Sequence, residues 1–217
     1  MQTGDIGADV TGVLLAGGRS SRMGGREKAL LGLGGQPMLQ RVASRFCPQA
    51  ARTVINANGD PARFAGFALP VVADSVEGQP GPLAGLLTGI AWAQRETPAA
   101  RFIATAPTDC PFLPRDLIAR LMAALLEAGS PCAIAATGGQ RHPVAGLWRI
   151  ELAAAAAGAL ARNMRALHRF ADAQGSAIAE FSPARIGGAD IDPFFNVNTP
   201  EDLQRAEMLL GMEDIRA

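Results

Sequence analysis

Short apolar segments alternate with amphipathic segments along the first 130 residues, and this alternation limits the folds open to the chain. The apolar segments have the length of buried strands, whereas a segment such as 37–46 has apolar residues at helical spacing. Because the connections between strands are long, the strands are expected to be parallel, with helices on both faces. The sequence therefore predicts an α/β protein, a three-layer fold with a mostly parallel central sheet. The predicted strands are Thr11–Ala16, Arg52–Asn56, Leu69–Ala73 and Arg101–Ala106, and the predicted helices are Pro37–Phe46, Leu83–Gln94 and Arg115–Ala128.

The pattern after residue 130 is less regular and predicts shorter elements. Thr199 and Asp202 have the spacing of an N-cap residue and the third residue of a final helix. No repeat, linker or charge block divides the chain, so residues 1–217 are expected to form one domain with a flexible segment at 1–9. The predicted strands are Cys132–Ala136, Val144–Trp148 and Ile178–Phe181, with an extended piece at Phe194–Val197, and the predicted helices are Glu151–Ala161, Met164–Phe170 and Pro200–Leu210.

Composition and charge argue against several classes of protein. The formal net charge at pH 7 is zero, which gives no overall basic surface for nucleic acid. The three cysteines (Cys47, Cys110 and Cys132) are widely spaced, which argues against a disulfide framework or a zinc site and is typical of a reducing compartment. The N-terminal residues do not resemble a signal peptide, and no uncharged apolar run reaches about 18 residues. We therefore expect a soluble cytoplasmic protein that binds neither nucleic acid nor a membrane.

A glycine- and arginine-rich segment follows the first predicted strand. It begins with Gly17 and Gly18, and its cations include Arg22 and Lys28. Lys28 precedes Ala29, so the segment is not a P-loop, and it contains no G-x-G-x-x-G sequence. Glycines let backbone N–H groups approach a polyanion closely, so these groups and the two cations are suited to a nucleoside triphosphate and its leaving pyrophosphate. The alternative is a solvated turn between a strand and a helix.

Polar side chains lie at the end of three of the predicted strands or shortly after it. They are Asn56, Asp74 and Asp109, and the carboxyl ends of parallel strands form the ligand-binding edge of such sheets. Asp109 lies between prolines in a short loop and is a candidate Mg²⁺ ligand, because Mg²⁺ takes one or two carboxylates together with phosphate oxygens. The alternative for Asp109 is a helix cap, although Pro114 opens the next helix several residues later. Asp74 is equally typical of a turn.

Three more polar residues are candidates for ligand contacts. His142 precedes Pro143 in a glycine-rich segment, where the sequence favours a plain loop histidine over a ligand contact. Asn196 and Asn198 flank one residue, so in an extended backbone their amides point the same way and could bind a heterocycle. The alternative for Asn198 is the start of the final helix.

Several segments of the chain resemble, in order, the molybdenum cofactor guanylyltransferases, which belong to the nucleotidyltransferases of Rossmann-like fold. The resemblance covers residues from about 12 to about 210. One residue departs from the family pattern, since Glu27 precedes the lysine where the family usually has aspartate. The matching segments are LAGGRSSRMGGREKALLGLGGQPML, INAN with Asn56, Asp74-Ser75, PGPLAG, TDCPFLP, RHP and NVNTPEDL.

The resemblance implies transfer of GMP from GTP to the phosphate of molybdenum-molybdopterin, with Mg²⁺ as cofactor and release of pyrophosphate. It also implies molybdoenzyme apoproteins or their chaperones as protein partners. Three alternatives remain: CMP transfer to the same cofactor, activation of a sugar phosphate, and a non-catalytic nucleotide-binding module. The implied roles are nucleotide binding for Leu15, Ala16, Gly17, Gly18, Lys28, Asn56, Asp74 and Asp109, catalysis for Lys28, Arg22 and Asp109, Mg²⁺ binding for Asp109, and pterin binding for Asn196, Asn198 and, more weakly, His142.

Overall fold

A mixed sheet lies at the centre of the protein, and the computed structural model describes residues 7–17, 27–76, 81–186 and 188–214 of the chain. Arg22 and Gly18, together with most of the predicted flexible N-terminus, lie outside these ranges. The strands are β1 (Val10–Leu15), β2 (Gly32–Leu33), β3 (Gln36–Pro37), β4 (Arg52–Asn56), β5 (Val71–Val72), β6 (Phe102–Pro107), β7 (Cys132–Thr137), β8 (Gln140–Arg149), β9 (Ala177–Phe181), β10 (Ala184–Ile186) and β11 (Ala189–Ile191). The α-helices are α1 (Met38–Phe46), α2 (Pro82–Glu96), α3 (Leu117–Ala128), α4 (Ala153–Ala161), α5 (Leu167–Ala173) and α6 (Pro200–Asp214).

The strand order of the central sheet is β5-β4-β1-β6-β8-β7-β9. The first half of the chain forms a parallel block, in which β1 pairs with both β4 and β6, and β4 pairs with β5. Strand β8 is antiparallel to β6 and β7, and β9 is again parallel to β7. The predicted three-layer α/β fold of Rossmann-like type with a mostly parallel sheet is therefore confirmed.

Helices cover both faces of the sheet because successive strand residues point in opposite directions. Leu14 of β1 packs in the cluster that contains the apolar residues of α1 and α3. Its neighbour Val13 packs in the cluster formed by α2, α4 and α5. A third, smaller cluster joins α6 to β2 and to the β10–β11 hairpin. No helix in the described ranges has the length and apolar character needed to cross a bilayer.

The second half of the sheet departs most from the sequence prediction. Strand β8 begins at Gln140 instead of Val144, because Gly138 and Gly139 adopt φ values of 56° and 79° and close a tight turn after β7. His142 therefore lies in a strand, and its prediction as a loop residue is wrong. The hairpins β2–β3 and β10–β11 were not predicted, since strands of two or three residues are too short to show a periodicity.

Helix α2 approaches the sheet closely at Gly85. A Cβ atom at this position would overlap Asn56 Oδ1 and lie 2.5 Å from Leu15 Cδ2. We expect Gly85→Ala to lower the free energy of unfolding by about 1–3 kcal/mol, because the side chain overpacks the interface between α2 and β1. Urea denaturation measures this loss.

Gly211→Ala is the matched control, because Gly211 also lies in a helix but a Cβ there meets nothing within 4 Å. Alanine should stabilise that helix by up to about 1 kcal/mol. Equal urea midpoints for Gly85→Ala and the parent protein would contradict the close packing described for α2.

Candidate active site

A cleft of about 920 Å³ opens at the carboxyl ends of the parallel strands. Strand β1 ends at this cleft with Leu15, and Ala16 and Gly17, which follow the strand, also line it. The strand order places β4 and β5 on one side of β1, and β6 and β8 on the other. We call the first group of lining residues the β4 side and the second group the β6 side. The β4 side includes Asn56, Asn58, Arg63 and Asp74, and the β6 side includes Asp109, Cys110, His142, Asn196 and Asn198.

Asp74 is held on the β4 side by two asparagines. Asn56 Nδ2 donates a hydrogen bond to Asp74 Oδ1, and Asn58 Nδ2 donates one to Asp74 Oδ2, each with a distance of 2.9 Å. The backbone N–H of Asp74 donates in turn to Asn58 Oδ1 at 2.8 Å. Asn56 also ties this side to β1, since its carbonyl oxygen accepts a hydrogen bond from the Ala16 N–H. The result is a rigid row of polar groups in which both carboxylate oxygens are oriented.

Asn58 was missed as a site residue by the sequence analysis. It lies two residues after Asn56, in a run of turn-forming residues that suggested only a loop. In an extended backbone, residues two apart point to the same side, and the Asn-Ala-Asn spacing could have identified it.

Lys28 and Asp109 form the centre of the cleft. Lys28 Nζ lies 3.8 Å from Asp109 Oδ2 and donates a hydrogen bond to Asn198 Oδ1. The side chains of Lys28 and Asp109 are 22% and 24% exposed, so both remain accessible to a ligand. Burial raises the pKa of Asp109, and the charge of Lys28 partly opposes this effect. Asp109 is not the cap of α3, because Asp116 takes the N-cap position.

Lys28 is the only lysine in the 217-residue sequence, and all the other basic side chains apart from the two histidines are arginines. An ammonium is a compact, strongly hydrated charge with three donors, whereas a guanidinium presents a planar fork. The single lysine of the chain thus lies beside the carboxylate at the centre of the cleft.

The segment that contains Asn196 and Asn198 is fastened to the Asp109 loop. The Val197 N–H donates to the Asp109 carbonyl oxygen at 2.9 Å. The Cys110 thiol contacts Asn196 Oδ1 at 2.9 Å. Burial, followed by the charges of Asp109 and Asp192, raises the pKa of Cys110 well above its usual range, so the thiol stays protonated as a donor. Cys110 therefore orients an amide and is not a nucleophile. Burial also raises the pKa of Cys132, to about 12.

His142 enters the cleft from a bulge in β8. The pairing of β7 with β8 shifts between Ile134 and Ala135, where Pro143 of β8 has no N–H to donate. The imidazole stacks on Phe194 at 4.6 Å, its Nε2 lies 3.5 Å from Asp192 Oδ2, and the side chain is 9% exposed. Burial lowers the pKa of His142, although Asp192 and Glu180 act in the opposite direction.

The start of α6 holds Asn198 in place through a capping box. The backbone N–H groups of Asn198 and Thr199 donate to Asp202 Oδ2 at 2.9 Å, and the Asp202 N–H donates to Thr199 Oγ1 at 3.2 Å. The predicted N-cap arrangement of Thr199 and Asp202 is confirmed. This box fixes the backbone directly next to the Asn198 side chain that contacts Lys28.

Asp202→Ala is expected to destabilise the protein by about 1 kcal/mol at neutral pH, as the loss of a cap does. Burial acts to raise the pKa of Asp202, but the hydrogen bonds from Asn198 and Thr199 outweigh it and the pKa is lowered. The stabilisation is therefore complete above the ordinary aspartate pKa of about 4 and is lost as pH falls through the lowered value. Urea denaturation of both proteins at several pH values should show that the difference between their free energies of unfolding decreases below about pH 4. A difference that does not change with pH would contradict this role.

The geometry brings together most of the residues singled out from the sequence. Among the described residues, Leu15, Ala16, Gly17, Lys28, Asn56, Asp74 and Asp109 line one cleft with His142, Asn196 and Asn198. Open α/β sheets bind their ligands at this edge, outside the carboxyl ends of the strands. Residues 12–177 match the model of a family described as MobA-like NTP transferase domain.

Full-length relatives narrow the assignment. A protein of Rhodopseudomonas palustris (strain BisB5) named molybdenum cofactor guanylyltransferase is 48% identical, over 91% of this chain and 92% of its own. A protein of the same name from Mesorhizobium japonicum is 45% identical, over 93% of this chain and 96% of its own. The chain therefore belongs to the molybdenum cofactor guanylyltransferase family, in agreement with the resemblance seen in the sequence.

Solved structures support the fold at lower identity. Molybdopterin-guanine dinucleotide biosynthesis protein A from Archaeoglobus fulgidus is similar with a TM-score of 0.68 and 20% identity, over 93% of this chain and 98% of its own. A 4-diphosphocytidyl-2C-methyl-D-erythritol synthase from Anaerococcus prevotii has a TM-score of 0.69 and 13% identity, over 95% of this chain and 98% of its own. Because these two proteins have different names and the same fold, the fold alone does not determine the substrate.

Proposed function

We propose that the protein transfers GMP from GTP to the phosphate of molybdenum-molybdopterin, releasing pyrophosphate and forming the guanine dinucleotide form of the cofactor. The observation that supports this most directly is the pair formed by Lys28 and Asp109 in the cleft. A protein that only binds a nucleotide would not need a metal-binding carboxylate at the reacting phosphate. The names of relatives such as the one 48% identical to this chain support guanine and molybdopterin as the substrates.

The nucleotide is assigned to the β4 side and to the end of β1. Leu15, Ala16 and Gly17 line the cleft together with the row of Asn56, Asn58 and Asp74. Asp74 has both oxygens oriented by asparagine amides and supplies a fixed acceptor for N–H or O–H groups of the nucleoside. Gly18 and Arg22, outside the described ranges, keep their proposed roles at the phosphates.

Magnesium is the cofactor we assign to Asp109. The Asp109 carboxylate offers oxygen ligands in the cleft, and no group of three or more His, Cys, Asp or Glu side chains among the described residues forms a metal cage. This combination suits Mg²⁺, which binds through one or two carboxylates and completes its shell with substrate phosphates and water. When bound, Mg²⁺ supplies positive charge that stabilises the reacting phosphates.

The chain has to stabilise the departing group and does not have to supply a general base. The acceptor phosphate is already an anion, so its oxygen attacks the α-phosphorus of GTP without a general base, and the bond to the pyrophosphate oxygen breaks. Lys28 provides a fixed donor for the charge that develops on the departing pyrophosphate. A pair of unit charges about 4 Å apart contributes about 4 kcal/mol at an effective dielectric constant of 20, before desolvation costs.

The pterin is assigned to the β6 side. Asn196 and Asn198 are the principal candidates, because both line the cleft and both are held in orientation by Cys110 and Lys28. His142 lies further along the same side, next to Phe194. Molybdoenzyme apoproteins or their chaperones are the expected recipients of the product.

Pyrophosphate release tests the proposal. The purified protein is incubated with GTP or CTP, with and without molybdenum-molybdopterin, and in Mg²⁺ or in excess EDTA. We expect release with GTP only when the pterin and Mg²⁺ are both present. Release that does not depend on the pterin would point to another acceptor, and faster release with CTP would contradict the choice of guanine.

A further inference from the structure

Glu27 and Arg63 form an ion pair in the cleft, and no role proposed above uses it. Arg63 Nη1 lies 3.0 Å from Glu27 Oε2, with side chains 32% and 21% exposed. Both residues line the cleft. Glu27 takes the N-cap position of a 3-10 helix at Lys28–Leu30, but its side chain makes no capping hydrogen bond. The Glu27 carboxylate is therefore directed to Arg63 instead of to the helix that it precedes.

Arg63 is anchored to the β4 side by a second contact. Its Nη2 donates a hydrogen bond to the carbonyl oxygen of Asn58, whose side chain holds Asp74. The guanidinium also lies over the Phe64 ring, 4.9 Å from its centre. A planar guanidinium can contact the Glu27 carboxylate and the Asn58 carbonyl with separate nitrogens, which an ammonium could not do in the same fixed geometry. The ion pair is thus continuous with the Asn–Asp row.

Two successive residues consequently contact opposite sides of the cleft. Glu27 is fixed to Arg63 on the β4 side, and Lys28 contacts Asp109 and Asn198 on the β6 side. Burial raises the pKa of Glu27, against the influence of Arg63, so the partly buried carboxylate depends on this cation for compensation. Removing Arg63 would remove this ion pair between Glu27 and the β4 side.

We propose that Arg63 is a positioning residue, which acts through Glu27 to hold Lys28 at the place where the nucleotide phosphates bind. This inference rests on the proposed function, since it assumes that Lys28 meets a triphosphate. It also gives a role to the glutamate that replaces the usual aspartate before the lysine. A direct contact between Arg63 and the nucleotide is the alternative that the experiment must separate.

Equilibrium binding of GTP in the absence of metal and acceptor provides the first test. We expect Glu27→Ala and Arg63→Ala each to raise the Kd for GTP about five- to tenfold, and the double variant to be no worse than either single one. Arg63→Lys should not restore the affinity. Arg185→Ala, which removes an arginine from an exposed ion pair with Asp190, should bind GTP as the parent protein does.

The single lysine allows a second test that needs no nucleotide. Reductive methylation with ¹³C-formaldehyde keeps the charge and labels one side chain, Lys28, besides the terminal amine. Without ligand, the dimethyl-lysine NMR resonance should shift in both Glu27→Ala and Arg63→Ala and stay in place in Arg185→Ala. An unchanged resonance in the two cleft variants would overturn the inference.

A Lys28→Ala background separates positioning from direct contact. If Arg63 acts through Lys28, adding Arg63→Ala to Lys28→Ala raises the Kd no further. Additive losses would overturn the inference and assign Arg63 to the nucleotide itself. If the parent protein fails to bind GTP, the proposed function is wrong, whereas the lysine resonance still decides whether Arg63 positions Lys28.

Discussion

Lys28→Ala is expected to lower the rate of GMP transfer about 100- to 1,000-fold, the loss typical of removing one fixed donor from a developing negative charge. Lys28 contacts the central carboxylate from a distance of 3.8 Å and is still accessible to a ligand. Its positive charge should also contribute to binding the triphosphate, so the Kd for GTP is expected to rise as well. Single-turnover rates at saturating GTP separate the two effects.

Arg101→Ala is the matched control for the lysine variant. Arg101 forms an ion pair with Asp9 at the same separation of 3.8 Å, but with both side chains largely exposed and outside the cleft. It should retain the parent rate, and both variants should show cooperative urea unfolding. Transfer at nearly the parent rate by Lys28→Ala would show that Lys28 has no role in the reaction.

Asp109→Asn is expected to reduce transfer by a similar factor of about 100 or more, because the amide keeps the shape of the side chain but is a poor ligand for Mg²⁺. GTP binding without metal should not weaken, since a negative charge is removed from the phosphate site. The residual rate should no longer respond to added Mg²⁺. The two variants therefore differ in metal-free GTP affinity, which falls in Lys28→Ala only.

Asp116→Asn is the control for this second variant, because Asp116 has an exposed side chain that is outside the cleft and pairs with Arg120 at 4.0 Å. It should keep both the rate and its dependence on Mg²⁺. Full Mg²⁺-dependent activity in Asp109→Asn would show that the metal ligand lies elsewhere.

Elements with long runs of regular pattern were predicted well from the sequence. Strand β4 has the predicted bounds, and β1 and α1 differ by one residue at their ends. Gly129 ends α3 in the left-handed conformation, at φ 59°, as glycine commonly does after the last helical residue. The sequence also predicted which edge of the sheet carries the cleft, because polar residues lie at the ends of several of these strands.

Features that depend on contacts distant in sequence could not be predicted. The antiparallel position of β8 between β6 and β7 results from tertiary pairing, and the bulge beside His142 and Pro143 depends on the same pairing. Glu27 and Arg63 are also far apart in the sequence, and only the tertiary structure brings their side chains together. Asn58 belongs to the same group, since its partner Asp74 lies 16 residues away.

The fate of the α- and γ-phosphates of GTP tests the proposed reaction most directly. The protein is incubated with Mg²⁺, molybdenum-molybdopterin and GTP labelled with ³²P at either the α- or the γ-phosphate. We predict that the α label appears in a pterin dinucleotide and the γ label in pyrophosphate, in equal amounts. Release of the γ label as orthophosphate, with the α label remaining in a free guanine nucleotide, would contradict GMP transfer.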